Sequence, residues 1–69
     1  MKYPVIYEPT PSGYSAYVPD LPGCVAAGES LDDARSLIVG AIAMHVASLR
    51  EQGQPVPEPS VSEIVDVAV

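Results

Sequence analysis

Tryptophan and phenylalanine are absent from this 69-residue chain, and tyrosine occurs four times. A core must therefore be assembled from Val, Ile, Leu, Ala and Tyr, without the large apolar rings that dominate many small cores. A single cysteine excludes an internal disulfide, and one Cys with one His cannot fill a zinc site within one chain. Three basic residues stand against nine acidic ones, for a net charge of −6. Phosphate contacts need clustered Lys or Arg, so direct nucleic-acid binding by this chain is not expected; the charge suits a basic partner and is equally ordinary for a soluble protein. Neither a signal-peptide pattern nor an apolar run long enough to span a bilayer is present, which points to a cytoplasmic protein without a membrane partner. A chain of this length buries only about 60% of its unfolded surface, and with nothing to staple it, oligomerisation is the remaining common device.

What is present reads as one domain. Residues 2–8 suit a first strand, with Tyr3, Val5 and Tyr7 on one face and Pro4, Ile6 and Glu8 on the other. The turn residues Pro9-Thr10-Pro11-Ser12-Gly13 predict an antiparallel hairpin with a second strand over 14–18, whose Tyr14, Ala16 and Val18 share a face. Pro19-Asp20-Leu21-Pro22-Gly23 then stops pairing, because two prolines remove two donors and Gly23 can take φ > 0. A third strand is expected over 24–28.

Ser30 is the natural N-cap of a helix over 31–52, with Asp32 and Asp33 in the first turn, where carboxylates meet the positive end of the dipole. Apolar residues recur at Leu31, Ala34, Leu37, Ile38, Ala41, Ile42, Val46 and Leu49, with His45 the one polar member of the stripe. The opposite face carries Asp32, Ser36, Val39, Gly40, Ala43, Ala47 and Arg50. A solvated helix face is usually rich in charge; here its middle is small and apolar. It is either inexpensive alanine surface or a place where another backbone approaches, and Ser36, Gly40, Ala43 and Ala47 are candidates for an oligomer or partner surface. Residues 54–59, with three prolines, predict a stiff extended connector. Residues 61–68 then predict a last strand, inserted beside the first or paired with another subunit. The order is β-β-β-α-β, an α+β fold with one helix packed on a mostly antiparallel sheet. A last strand parallel to the first would require a right-handed crossover through the helix.

Gly13-Tyr14-Ser15-Ala16-Tyr17-Val18-Pro19-Asp20-Leu21-Pro22-Gly23-Cys24, followed by Ala27-Gly28-Glu29-Ser30 and by Ala34 in the helix, resembles the HicB family of antitoxin-like proteins. The pattern extends from Tyr3 to about Pro59. The resemblance implies the same architecture, often described as a reduced relative of the RNase H fold. It also implies a type II toxin–antitoxin role, in which the antitoxin domain binds a small basic HicA-like, RNA-cleaving toxin and covers its active site. On that reading Asp20, Glu29, Asp32 and Asp33 are candidate contacts, since complementary charge speeds encounter. Many HicB-like antitoxins carry a C-terminal ribbon-helix-helix or helix-turn-helix module; no second helix or basic patch is read here, so direct operator binding is not expected.

No catalytic constellation emerges. RNase H chemistry needs several carboxylates converging on metal ions; the first strand offers only Glu8, at its end, and the second and third have no internal acid. The acids near the helix start are explained by capping. Cys24 reads as a small buried hydrophobe and His45 as a core-edge histidine, rather than a nucleophilic pair. The expectation is a non-enzymatic protein without cofactor or metal. Its partner would be a toxin or, in an orphan binding module, further copies of itself as a dimer or tetramer.

Overall fold

A computed structural model describes all 69 residues, Met1–Val69. Three strands and one helix form, in the order β1 (Ile6–Thr10), β2 (Gly13–Tyr17), β3 (Val25–Gly28) and α1 (Leu31–Glu51). The sheet is antiparallel throughout, with β2 central. Its register runs from Ile6 opposite Tyr17 to Thr10 opposite Gly13, and from Tyr14 opposite Gly28 to Tyr17 opposite Val25. The α+β class and the single helix on an antiparallel sheet are as the sequence predicts.

The first strand lies further along the chain than expected. The hairpin loop is only Pro11-Ser12, so pairing extends through Pro9 and Thr10. At the other end β2 stops at Tyr17, which leaves residues 2–5 without a ladder partner.

The larger correction concerns residues 61–68, which form no strand. The chain leaves the helix at Gly53, whose φ of +68° is the left-handed conformation glycine accepts readily. It then passes through Pro55, Pro57 and Pro59 without regular secondary structure. The Tyr3 hydroxyl donates to the Pro57 carbonyl at 2.6 Å, and Ser60 is bonded to Asp20. Beyond Ser60 no backbone hydrogen bond reaches the rest of the molecule. A strand is defined by its ladder, and an apolar segment that meets no free edge gains nothing from adopting one.

The core is small. Ala16, Val18, Leu21, Cys24, Ala34 and Ile38 are buried, with Tyr3, Val5, Tyr7, Tyr14, Ala26, Ala41, Ile42 and Val46 packed around them. The inward faces of β1 and β2 are those that alternation predicts. Leu21 is fully buried although it sits in the loop between β2 and β3. Three backbone bonds fold that loop inward: the Val18 amide to the Cys24 carbonyl (3.1 Å), the Leu21 amide to Val18 (3.1 Å) and the Cys24 amide to Leu21 (3.0 Å). Gly23, at φ +84°, closes the turn.

The helix starts as its sequence dictates. Ser30 is extended, and its hydroxyl accepts the Asp33 amide at 3.1 Å. The helix packs over β3 and β2, which leaves β1 at the open side. Leu37, expected to face the sheet, is 53% exposed. Adjacent helical residues are turned by about 100°, so with Ile38 aimed at the sheet, Leu37 points along its margin.

Candidate interaction surfaces

The residues singled out from sequence do not make one patch. Ser36, Gly40, Ala43 and Ala47 all lie exposed on the helix face turned away from the sheet, and Asp32 stands at the N-terminal end of the same stripe. Glu29 and Asp33 are exposed beside it. These three acids therefore cap one end of a small-residue stripe. Asp32 is also engaged by Arg35 (Nη1 to Oδ1, 2.6 Å), a pair whose exposure makes it weak. The Arg35 guanidinium lies 5.9 Å from the centre of the Tyr7 ring.

Asp20 lies at the opposite end of the sheet. The strand register places it beyond the pairs of Ile6 with Tyr17 and Tyr17 with Val25, whereas the helix starts beyond the pair of Tyr14 with Gly28. Its carboxylate is occupied from within the chain: Oδ2 accepts the Ser60 amide at 2.9 Å and Oδ1 accepts the Ser60 hydroxyl. The hydroxyl bond first, then the amide bond, holds the Asp20 carboxyl below the ordinary carboxylate range. Ser60 escaped notice in the sequence; the bond joins residues 40 apart, and only the Asp-Leu-Pro-Gly turn and the later Pro-Ser hinted at either end.

Cys24 is buried, and desolvation pushes its thiol up, toward the unreactive neutral form. His45 is half-buried on the sheet-facing side of the helix. No three His, Cys, Asp or Glu side chains converge as a metal site would need. No helix is long and apolar enough to cross a membrane.

Further apolar surface is prominent. Val39, which the sequence places on the outward helix face, and Met44, which it did not flag, remain 63% and 75% exposed beside the small-residue stripe. On the outer face of the sheet, which no element covers, Ile6, Tyr17 and Val25 stand in one cross-strand row. Two shallow grooves border these surfaces. One, of about 630 Å³, separates Pro4, Val5 and Ile6 from Ser62, Glu63 and Ile64. The other, of about 320 Å³, lies between Met1 and Tyr3 and the helix residues Ile42, Ala43, Val46 and Ala47.

The class that the structure defines is a small sheet-and-helix domain with open apolar and acidic surfaces. Comparison with known proteins places that class among the antitoxins of bacterial toxin–antitoxin systems. The chain belongs to the HicB-like antitoxin family, whose model matches residues 3–68. Among solved structures, a chain of the HicA3 and HicB3 toxin–antitoxin complex is similar at 33% identity and a TM-score of 0.75, over 87% of this chain and 70% of that one. An uncharacterized 14.9 kDa protein of Haemophilus phage HP1, from its rep-hol intergenic region, is 36% identical over 58 residues, which is 84% of this chain and 44% of the relative. A UPF0150 protein of Synechocystis sp. is 39% identical over 46 residues, 67% of this chain and 58% of the relative. The chain thus spans about half the length of the curated relatives it matches.

Proposed function

We propose that this chain is a non-catalytic antitoxin that binds a small, basic, HicA-like RNA-cleaving toxin and covers its active site. The observation that carries the reading is the likeness to a chain of a solved toxin–antitoxin complex, over most of this domain and at 33% identity. The net charge of −6 supports it, because an acidic domain attracts a basic partner and speeds their encounter. Glu29, Asp32 and Asp33 are the acids proposed to meet the toxin. Asp20 acts indirectly, through its hold on Ser60. On this reading the protein works in the cytoplasm, associates with itself, binds no nucleic acid directly and uses no cofactor.

The exposed apolar surface on Val39, Met44 and the sheet's outer face favours one further reading, a homo-oligomeric binding module without a toxin. Affinity capture of the tagged chain from its source cells, with mass spectrometry and a native mass of the eluate, separates the two. The antitoxin reading expects a small basic protein in fixed ratio, whose RNA cleavage stops when this chain is added. Recovery of the bait alone, as a defined oligomer, would replace it with the second reading.

A further inference from the structure

The two edges of the sheet differ in what protects them. β1 and its approach carry Pro4, Glu8 and Pro9, and proline and charge are the usual means of keeping an edge from pairing. β3, the other edge, reads Val25-Ala26-Ala27-Gly28, with no proline, no charge and no bulge in its register. The free backbone groups of β3 follow from the ladder. The Val18 amide donates to the Cys24 carbonyl at 3.1 Å, as in a hydrogen-bonded pair of the continued register. Bonded and non-bonded pairs alternate in an antiparallel ladder, so Ala16 with Ala26 and Tyr14 with Gly28 are bonded across. The N–H and C=O of Val25 and Ala27 therefore point out from the edge, and no backbone bond outside the ladder reaches them.

An exposed apolar flank of the helix runs beside this edge. Arg35 lies over Tyr7, and Ile42 and Val46 share a groove with Tyr3, so that side of the helix is turned toward β1. At about 100° per residue, Leu37, Ala41 and Met44 fall on the opposite side, along β3. Leu37 is 53% exposed and Met44 75%.

Charge divides the same way. Arg35 and Arg50 stand on the β1 side, with Tyr7 and Tyr3, and Lys2 adjoins Tyr3, which accounts for all three basic residues. The β3 side carries acids. Glu29 follows the strand directly, and Asp33 stands against Gly28, where an added Cβ would come within 2.7 Å of the Asp33 Cβ.

We propose that a basic partner adds an extended strand to the β3 edge. Its backbone pairs with Val25 and Ala27, its alternate apolar side chains lie on Leu37, Ala41 and Met44, and its Lys or Arg side chains meet Glu29 and Asp33. The inference rests on the antitoxin reading, in which that partner is the small basic toxin, and it assigns the surface by which the toxin is held. The other face of the added strand would continue the exposed row of Ile6, Tyr17 and Val25. In such an addition the main-chain bonds give affinity and the alternate side chains give specificity. Charge selects the occupant. A second copy of this chain would bring a further −6 to an edge that has acids and no base to meet them, whereas a basic strand is drawn to it.

The test uses the full chain and the small basic protein recovered by affinity capture. On binding, the Val25 and Ala27 amides should exchange with deuterium at least tenfold more slowly. Ala27→Pro removes only an outward N–H, and Leu37→Asp and Met44→Asp change side chains outside the core. Each should raise the Kd at least tenfold while the helical circular dichroism stays unchanged. Should Ala27→Pro fail to fold, the two helix variants and the exchange rates decide. Binding that survives both helix variants, or that leaves the Val25 and Ala27 amides exchanging as before, would overturn this proposal and leave the antitoxin reading standing. Binding lost with Val39→Asp and not with Leu37→Asp would move the partner to the β1 side and overturn it too. Recovery of no basic protein would remove the antitoxin reading and this inference with it.

Discussion

Asp20 and Ser60 are joined by two hydrogen bonds across 40 residues of sequence, the Ser60 amide donating to Oδ2 at 2.9 Å and its hydroxyl to Oδ1. The contact ties the loop between β2 and β3 to the connector that follows the helix. With the Tyr3 hydroxyl on the Pro57 carbonyl, it anchors the connector just before residues 61–69 depart.

That contact is pH-dependent with a defined sign. The Asp20 carboxyl is held below its ordinary range by Ser60, so the folded state binds this proton less readily than the unfolded chain does. Its contribution is full above the ordinary carboxylate value of about 4 and is lost as the pH falls through the depressed one. In an NMR titration the Ser60 amide resonance should move with a midpoint below that of a free aspartate. In Asp20→Ala it should sit at the released position at every pH.

Leu21 should matter more than its loop position suggests. It is fully buried against Val18, Cys24, Ala34 and Ile38. Leu21→Ala should cost about 2–5 kcal/mol, a large part of what a domain of this size possesses. Val25→Ala, at a position 65% exposed, should cost less than about 1 kcal/mol. Urea unfolding followed by circular dichroism compares the two.

Gly28 marks the closest approach of the sheet to the helix. A Cβ there would lie 2.6 Å from the Ala34 amide nitrogen and 2.7 Å from the Asp33 Cβ. Both belong to the first turn of the helix, which cannot shift without disturbing the Ser30 cap. Gly28→Ala should destabilise by about 1–3 kcal/mol. Gly40→Ala, where an added Cβ meets nothing, should be neutral or stabilising, because alanine is the better helix former. Thermal unfolding of the two variants checks the contrast.

The acids proposed to meet a toxin divide by position. Replacing Glu29, Asp32 and Asp33 with Gln, Asn and Asn should slow association with a basic HicA-like partner several-fold at low salt, and the difference should vanish near 1 M salt. Asp20→Asn should slow it less, since that carboxylate lies at the other end of the sheet from these three. Stopped-flow association at several ionic strengths measures both. A rate unaffected at every ionic strength would remove the electrostatic part of the proposal.

The helix, its Ser30 cap, the inward faces of β1 and β2 and the Gly23 turn are legible in the sequence because each depends on neighbours a few residues away. Periodicity, a capping hydroxyl and a glycine at positive φ are local properties of the chain. The motif from Gly13 to Cys24 likewise carries the family resemblance by itself. What the tertiary structure decided is of another kind. Leu21 is core because three backbone bonds turn its loop inward. Asp20 is a tether and not a free acid because the chain after the helix returns to it. Leu37 is exposed because the helix sits over only two strands. Residues 61–68 have the β-branched composition of a strand, although Ile64 and Val65 break its alternation, yet strand formation needs a partner edge. Whether an edge is within reach depends on where Tyr3, Asp20 and three prolines deliver the chain, and no local pattern encodes that.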